Sequence, residues 1–228
     1  MKVFGTNVLK ELLNDASKIK KIYISNNFRD NEIINKIKNS KVSYEIIDKQ
    51  KLDKMEKNNQ GIMAITLDYE YFSEDEIFNF DNILILDHIE DPHNFGAIIR
   101  TCDAAGIEVI VIPKDRACLV NETVMKTSTG AISYVKIVMV TNLVNTINKL
   151  KKNNYFVYGA EANGEDYRNV SYADKKVLVI GSEGNGLSNL VRKSCDVVLS
   201  IPMKGHVNSL NASVASGIMI YEVVRNRK

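Results

Sequence analysis

Tryptophan is absent from this chain of 228 residues, and cysteine and proline are scarce, with three of each. Three cysteines without a CxxC pair indicate neither a disulfide framework nor a zinc site, and favour a reducing cytoplasm. His88, His93 and His206 lack metal-ligand spacing, so no metal is predicted. No apolar run approaches the ~20 residues that span a bilayer, and the polar start is unlike a secretory signal. We therefore expect a cytoplasmic protein of one or two domains.

Charge is small in total but unevenly distributed. The formal net charge is +2. Residues 1–67 carry 13 Lys and Arg against 8 Asp and Glu, residues 68–81 carry six acids and no base, and residues 82–228 carry 17 bases against 14 acids. An acidic strip between two basic blocks predicts a linker between two domains. The basicity permits nucleic-acid binding, although solvated lysines explain it equally well.

Both blocks alternate between strands and helices. The first block predicts strands over 20–25, 42–47 and 61–67, and helices over 7–14, 30–39 and 48–57. The second predicts strands over 82–87, 107–113, 134–140, 155–160, 176–181 and 195–202, with helices near 95–105, near 121–127 and ending at about 152. Continuous apolar strands of this kind predict an α/β fold with a mostly parallel sheet covered on both faces.

A final helix is expected from about Asn208. Apolar residues recur there at helical spacing and predict one buried face, formed by Val207, Leu210, Val214, Ile218 and Tyr221. Asn208 or Ser209 could cap this helix. The small residues that follow, from Ala212 to Gly217, allow a close approach of another backbone, or ordinary tight packing.

Three glycines, Gly181, Gly184 and Gly186, follow the apolar strand that ends at Ile180. Their order is neither the dinucleotide fingerprint nor a P-loop, and Ser182 is not in a hydrolase elbow. What remains is a glycine-lined strand end with one carboxylate, Glu183. A ligand site and a plain tight turn both remain possible interpretations of this loop.

A third polar segment follows the strand that ends at Asp87. Asn94 lies where a helix should start, and by itself predicts an N-cap. Arg100 lies inside that helix, where a surface pair with Asp103 would be the ordinary explanation.

Together, these segments closely resemble the three motifs of SpoU-type RNA 2′-O-methyltransferases of the SPOUT class. They read N-F-G-A-I-I-R at 94–100, G-S-E-G-N-G-L-S at 181–188 and I-P-M-x-G-x-V-N-S-L-N-x-S-V-A at 201–215. Order, spacing and identity match over about residues 82–226. The N-terminal block, with FGTNVLKELL at 4–13 and NQGIMAI at 59–65, is similar to the substrate-binding domain of bacterial 23S rRNA guanosine 2′-O-methyltransferases.

The resemblance implies S-adenosylmethionine as methyl donor, ribosomal RNA as substrate, a homodimer and a C-terminal trefoil knot. With the charge pattern, it assigns residues 1–67 to RNA substrate binding, 68–81 to a linker and 82–228 to catalysis. It places the cofactor at Gly181, Ile201 and Leu210. It forms the catalytic pocket from Asn94, Arg100, Glu183, Ser209 and Asn211. No metal and no membrane are implied.

Methylation of a ribose hydroxyl needs an in-line displacement at a methyl whose sulfonium leaving group is already activated. Most of the protein's contribution is therefore positional. The resemblance implies Arg100 as the base, yet an arginine holds its proton too tightly for that role at neutral pH. Positioning a phosphate and stabilising the alkoxide is physically easier. The sequence leaves both roles open.

Three alternatives compete with this interpretation. A transfer-RNA guanosine methyltransferase would carry the same catalytic motifs, but the basic N-terminal block favours the ribosomal enzyme. A non-catalytic RNA-binding protein could retain the fold, although the complete set of pocket residues argues against it. A nucleotide-dependent oxidoreductase is disfavoured by the glycine order.

Overall fold

The computed structural model describes residues 1–225, so the predicted end of the catalytic domain at residue 228 lies outside the described residues. Ten strands, eight α-helices and three 3₁₀ helices occur among them. In chain order these are β1 (Lys2–Phe4), α1 (Thr6–Leu12), a 3₁₀ helix (Leu13–Lys18), β2 (Ile19–Ser25), α2 (Asn31–Asn39), β3 (Tyr44–Ile47), α3 (Lys49–Met55), β4 (Ile62–Thr66), a 3₁₀ helix (Glu74–Asn79), β5 (Asn82–Asp87), α4 (Pro92–Ala105), β6 (Val109–Pro113), α5 (Glu122–Thr127), a 3₁₀ helix (Ala131–Ser133), β7 (Lys136–Val140), α6 (Leu143–Lys152), β8 (Phe156–Asp166), β9 (Lys176–Gly181), α7 (Asn189–Ser194), β10 (Val197–Ser200) and α8 (Ala212–Val224).

The chain forms two compact units, and the first contains residues 1–70 together with 120–133. Its four-stranded sheet has the order β1-β4-β2-β3, with β2 and β3 parallel and the other pairs antiparallel. Buried aliphatic side chains such as Leu9, Ile33 and Leu52 cover the sheet. The predicted small α/β domain is thus present, with one extra short strand, β1, at its edge.

Residues 120–133 belong to the first unit although the charge blocks group them with the second. The Lys2 backbone N–H donates to Oε1 of Glu122 (2.9 Å), and the Lys126 ammonium lies 4.8 Å from the centre of the Phe4 ring. Val124 and Met125 are buried. Two separate stretches of chain therefore build the first unit.

The second unit is built on a six-stranded parallel sheet with the order β10-β8-β9-β5-β6-β7. Its central strands are buried on both faces, as their continuous apolar runs predict. No helix among residues 1–225 is long and apolar enough to cross a membrane.

The acidic strip divides between the two units, with the boundary between Glu70 and Tyr71. Its second half forms a 3₁₀ helix whose start is closed by a capping box of Ser73 and Glu76. Ile77 is buried in the core of the second unit. Much of the predicted linker is therefore a packed part of that unit.

The final helix begins later than predicted and buries a different face. Asn211, rather than Asn208 or Ser209, caps α8 through bonds from the backbone N–H groups of Ser213 and Val214. Val207 and Leu210 precede the helix, while Val214 and Tyr221 are exposed. The buried face contains small and apolar side chains, namely Ala212, Ser216, Met219, Ile220 and Val223, together with Glu222.

Candidate active site

Two of the three motifs meet because β5 and β9 are parallel neighbours in the second unit. Their last residues, Asp87 and Gly181, lie directly opposite each other. The chain then runs from β5 towards α4, and from β9 into the glycine loop, residues 182–186. Parallel sheets bind ligands outside the carboxyl ends of their strands, so this edge is the expected place for a site.

A hydrogen-bonded group of three side chains, here called the amide–carboxylate cluster, forms at this edge from Asn94, Glu183 and Asn211. Asn94 Nδ2 donates to Glu183 Oε2 (3.2 Å), and Asn211 Nδ2 donates to the same oxygen (3.5 Å) and to Asn94 Oδ1 (3.0 Å). Asn94 and Asn211 are 117 residues apart. Three predicted catalytic residues are thus brought together by the fold.

Asn94 can join the cluster because another residue caps α4. Asp91 accepts the Asn94 backbone N–H (2.8 Å), and Pro92 occupies the first turn. The expectation that Asn94 is itself the N-cap is therefore wrong. The cap leaves both ends of the Asn94 amide free to bond outside the helix.

Asn211 has two roles at once. Its Oδ1 caps α8 by accepting the backbone N–H groups of Ser213 (3.0 Å) and Val214 (3.4 Å). Its Nδ2 belongs to the amide–carboxylate cluster. An amide suits this position because one side chain must accept at one end and donate at the other.

The glycine loop is a closed hairpin. Ser182 and Gly186 exchange two backbone hydrogen bonds of 3.0 Å, and Gly184 and Gly186 have φ values of +88° and +64°. A Cβ on Gly181 would overlap the backbone of Gly186. The loop itself therefore requires glycine at position 181.

A cavity of about 430 Å³ lies beside this loop and is called here the Leu210 cavity. Its wall contains all three predicted cofactor residues, Gly181, Ile201 and Leu210, and two predicted catalytic residues, Glu183 and Ser209. The rest of the wall includes apolar side chains, among them Ile180, Met203 and Met219. This volume falls within the ~300–1,000 Å³ typical of small-molecule sites.

Arg100 lies apart from these residues. It is exposed on α4 and does not line the Leu210 cavity. It lies six positions after Asn94 in the helix, so the two side chains point about 120° apart around the helix axis. A surface pair with Asp103 therefore stays a prediction for this arginine.

Asp87 is a residue of this site that sequence reasoning did not assign. Its buried carboxylate accepts the backbone N–H of Ser188 (2.6 Å) and contacts the His88 ring. It therefore ties Ser188, two residues after the glycine loop, to the end of β5. The signal in the sequence was a charged residue at the end of a fully apolar strand, where an unpaired carboxylate would be costly.

Cys195, which directly follows α7, is partly buried and packs against the core of the second unit. Cys195 lies close to Gly159, with its Sγ donating to the carbonyl of Val191 (3.3 Å). Burial raises the pKa of the Cys195 thiol to about 12, so the thiol stays protonated at neutral pH. It packs as a small apolar group.

Comparison with known proteins gives the family. The model of the SpoU rRNA Methylase family matches residues 81–221, which is more than half of the chain. The chain belongs to the SpoU rRNA methylase family. Residues 2–72 match a second family, RNA 2′-O ribose methyltransferase substrate binding. A TrmH family tRNA/rRNA methyltransferase of Staphylococcus haemolyticus is 43% identical over 237 residues, covering 99% of this chain and 95% of the relative.

Solved structures of SpoU proteins share the fold. AviRb from Streptomyces viridochromogenes, a SpoU methyltransferase in complex with AdoMet, superposes with a TM-score of 0.82 at 22% identity, covering 98% of this chain and 89% of AviRb. An AdoMet-bound rRNA methyltransferase from Sinorhizobium meliloti gives 0.82 at 23% identity, covering 97% and 85%. The predicted family, the two-part α/β fold and the class of enzyme, an RNA methyltransferase, are confirmed. AdoMet, the cofactor that the motifs predict, is the ligand named for both of these neighbouring structures.

Proposed function

We propose that this SpoU protein transfers a methyl group from S-adenosylmethionine to the ribose 2′-hydroxyl of a guanosine in 23S ribosomal RNA. The amide–carboxylate cluster carries the proposal, because three distant segments converge on one carboxylate at the wall of a cavity. The substrate-binding match over residues 2–72 supports ribose methylation of RNA.

The Leu210 cavity fits the methyl donor. Its apolar side chains suit the adenine and the methionine chain, and Glu183 supplies a negative charge for a cationic sulfur. We assign Gly181, Ile201 and Leu210 to the cofactor, with Gly181 acting through its backbone. When bound, S-adenosylmethionine supplies a methyl group already activated by its positively charged sulfur.

The cluster would then hold the acceptor hydroxyl beside that cavity. Glu183 receives two amide donors on Oε2, which fixes the carboxylate while leaving acceptor capacity for a hydroxyl. Ser209, on the wall of the same cavity, adds a second hydroxyl partner. The contribution of these groups is positional, and orientation alone can lower a barrier by ~7–11 kcal/mol.

In this scheme Arg100 can act at the site beside the Leu210 cavity only if it comes from a second copy of the chain. The side chain is exposed and lies outside the wall of the Leu210 cavity of its own chain. The exposed apolar side chains of α8, Val214 and Tyr221, suit a two-fold contact between copies. We therefore propose a homodimer in which Arg100 of one copy acts on RNA bound to the other copy. There it stabilises the developing alkoxide or holds a phosphate of the RNA.

Other parts of the proposal concern the whole chain. We assign residues 1–67 to RNA capture, residues 68–81 to the connection and residues 82–228 to catalysis. We also propose that the segment from β10 to α8 forms the trefoil knot of the SPOUT class, and that the enzyme works in the cytoplasm, where its free thiols and RNA substrate belong.

A transfer-RNA guanosine is the second candidate substrate. It is favoured by the relative from Staphylococcus haemolyticus, whose name covers both tRNA and rRNA.

Methyl transfer to RNA tests the function directly. Total RNA from cells that lack the gene is incubated with the protein and tritiated S-adenosylmethionine, then separated by size and digested to nucleosides. We expect label in 2′-O-methylguanosine from 23S rRNA. Label in transfer RNA would select the second candidate, and no label in any RNA would contradict the enzymatic proposal and favour a non-catalytic RNA-binding protein.

A further inference from the structure

A second cavity, of about 420 Å³, shares the glycine loop with the first. The shared wall consists of Ser182, Glu183, Asn185, Gly186 and Ala212. The rest comes from the end of β5 and the loop after it, the start of α4, Leu187 and Ser188 just before α7, and the loop after β6, which contributes Arg116. We call it the Arg116 cavity. The cofactor assignment does not use it.

Four carboxylates line the Arg116 cavity, and the protein itself holds three of them. Asp87 is buried and bonded to the Ser188 N–H, Asp91 caps α4, and Glu183 belongs to the amide–carboxylate cluster. The fourth is Glu90, which is exposed. The acidic part of the wall is thus largely fixed by bonds within the fold.

Arg116 differs from the three bonded carboxylates in how its side chain is held. Within residues 1–225 its side chain forms no hydrogen bond or ion pair, although four carboxylates line the same cavity. A guanidinium presents a planar fork of donors that matches a phosphate. An unpaired arginine in a cavity wall is well placed to bind an anion that comes from outside the protein.

The backbone holds Arg116 in a left-handed conformation, with a φ of +52°, and His88 in the same wall has a φ of +63°. The Arg116 loop is tied at both ends, because the Lys114 N–H donates to Val140 O (2.9 Å) and the Cys118 N–H donates to Ile89 O (2.8 Å). The second bond joins the two strained loops. Strain of this kind persists where the surroundings determine it, and it clusters at binding sites.

We propose that the Arg116 cavity holds the nucleotide that accepts the methyl group, with its 3′-phosphate bound by Arg116. This inference rests on the proposed function. In RNA the 2′-hydroxyl and the 3′-phosphate are on neighbouring carbons, so a residue that fixes the phosphate also fixes the hydroxyl. The shared wall then places the acceptor and the methyl donor on either side of Glu183.

Substitutions at Arg116 test this against a matched control. Arg116→Gln should lower kcat/KM for RNA about 10- to 100-fold, as expected for the loss of a charge-assisted hydrogen bond. The kcat/KM of Arg116→Lys should lie between the values of the unaltered protein and Arg116→Gln, because lysine keeps the charge but lacks the planar fork of donors. Lys114→Gln removes the same charge two residues away, outside both cavities, and should stay within about twofold of the unaltered protein.

Two further measurements identify the phosphate as the partner. RNA binding with S-adenosylhomocysteine present should show a salt dependence whose slope is shallower in Arg116→Gln by about 0.7–0.9, the value for one phosphate contact. Calorimetric affinity for S-adenosylhomocysteine should not change, because Arg116 does not line the Leu210 cavity.

Arg116→Gly separates binding from loop geometry. Glycine accepts a positive φ without strain, so this variant should melt no lower than the unaltered protein, yet lose as much RNA activity as Arg116→Gln. Full activity in Arg116→Gly, or equal losses in Arg116→Gln and Lys114→Gln, would overturn the assignment while methyl transfer by the unaltered protein stands. If the unaltered protein methylates no RNA, the proposed function fails, and this assignment fails with it.

Discussion

At the scale of single residues, three glycines of the second and third motifs differ in what restricts them. Gly181 lies where the chain folds back, so any Cβ would meet the Gly186 backbone. Gly184 has open space around it, but its φ of +88° disfavours other residues. Gly205 has neither restriction. Comparing these three positions therefore separates crowding from backbone strain, with Gly205, which lines neither cavity, as the unrestricted reference.

Alanine at each of these glycines should give three different results. Gly181→Ala should lower the free energy of unfolding by about 1–3 kcal/mol through overpacking, and should weaken cofactor binding by moving the loop. Gly184→Ala should cost about 1–2 kcal/mol through backbone strain. Gly205→Ala should be neutral. Urea denaturation with calorimetry checks this, and equal stability of the first and third variants would contradict the crowding at Gly181.

Arg100 is the second test at this scale. Arg100→Ala should abolish methyl transfer while leaving folding and cofactor affinity intact, since the side chain is exposed and lies outside the wall of the Leu210 cavity. Arg100→Lys should retain measurable activity if only charge near a phosphate matters, and almost none if the guanidinium fork is needed. Arg168→Ala, an exposed arginine outside both cavities, serves as control. Normal rates in Arg100→Ala would remove this residue from the mechanism.

At the scale of elements, the start of α8 couples folding to the site. Asn211 holds the helix with one end of its amide and the amide–carboxylate cluster with the other. A change that alters only one end can therefore separate the two functions.

Asn211→Asp is that change. An aspartate still caps the helix, so the melting temperature should hardly move. It cannot donate to Asn94, and its charge faces Glu183, so methyl transfer should fall by at least about tenfold. Asn211→Ala should lose activity and also about 1 kcal/mol of stability through the lost cap. An active Asn211→Asp enzyme would show that the cluster is not needed for the reaction.

The elements also show how far sequence patterns reach. Strands such as β5 and β9 have the predicted bounds, because a continuous apolar run of that short length favours a buried strand over a helix. α7 has six residues, too few to show a period, and was not predicted. The 3₁₀ helix after Ser73 did carry a signal, the pair Ser73 and Glu76 of a capping box, but the acidic composition suggested a linker instead.

The motifs were enough to predict which residues form the site, but not which hydrogen bonds join them. The motifs named Asn94, Glu183 and Asn211, whereas their shared hydrogen bonds depend on which residue caps each helix. Asp91 and Asn208 are both good cap residues in sequence, and only the first is used. Arg116 carried no local pattern, because its position follows from two loops joined by backbone bonds.

At the scale of the whole molecule, assembly follows from what α8 leaves exposed. Val214 and Tyr221 are more than half exposed on this helix, at 51% and 54%. We expect a homodimer of twice 25.7 kDa by sedimentation equilibrium at micromolar concentration. Val214→Asp should shift it towards single chains, while Leu190→Asp, at a leucine on α7 that is 68% exposed, should not. A single-chain mass for the unaltered protein would contradict the dimer.

A test of RNA capture by the first unit must leave the fold of that unit intact, so deletion of residues 1–67 is unsuitable. That deletion would remove β1 from α5 and expose Val124 and Met125, so loss of activity would not identify an RNA contact. Replacing the exposed lysines Lys20, Lys38 and Lys51 by glutamine should weaken RNA binding and its salt dependence without changing cofactor affinity. Unchanged RNA affinity would assign the first unit another role.

The packing of residues 120–133 into the first unit also sets an order of events during synthesis. The four strands of that unit have all been made by Thr66, but the helix that covers β1 begins only at Glu122. Nascent domains usually fold in turn from the N-terminus. Here the ribosome must first produce β5, α4 and β6 of the other unit. Translation that stalls in this interval would leave two unfinished domains on one chain, both with apolar surface open to chaperones.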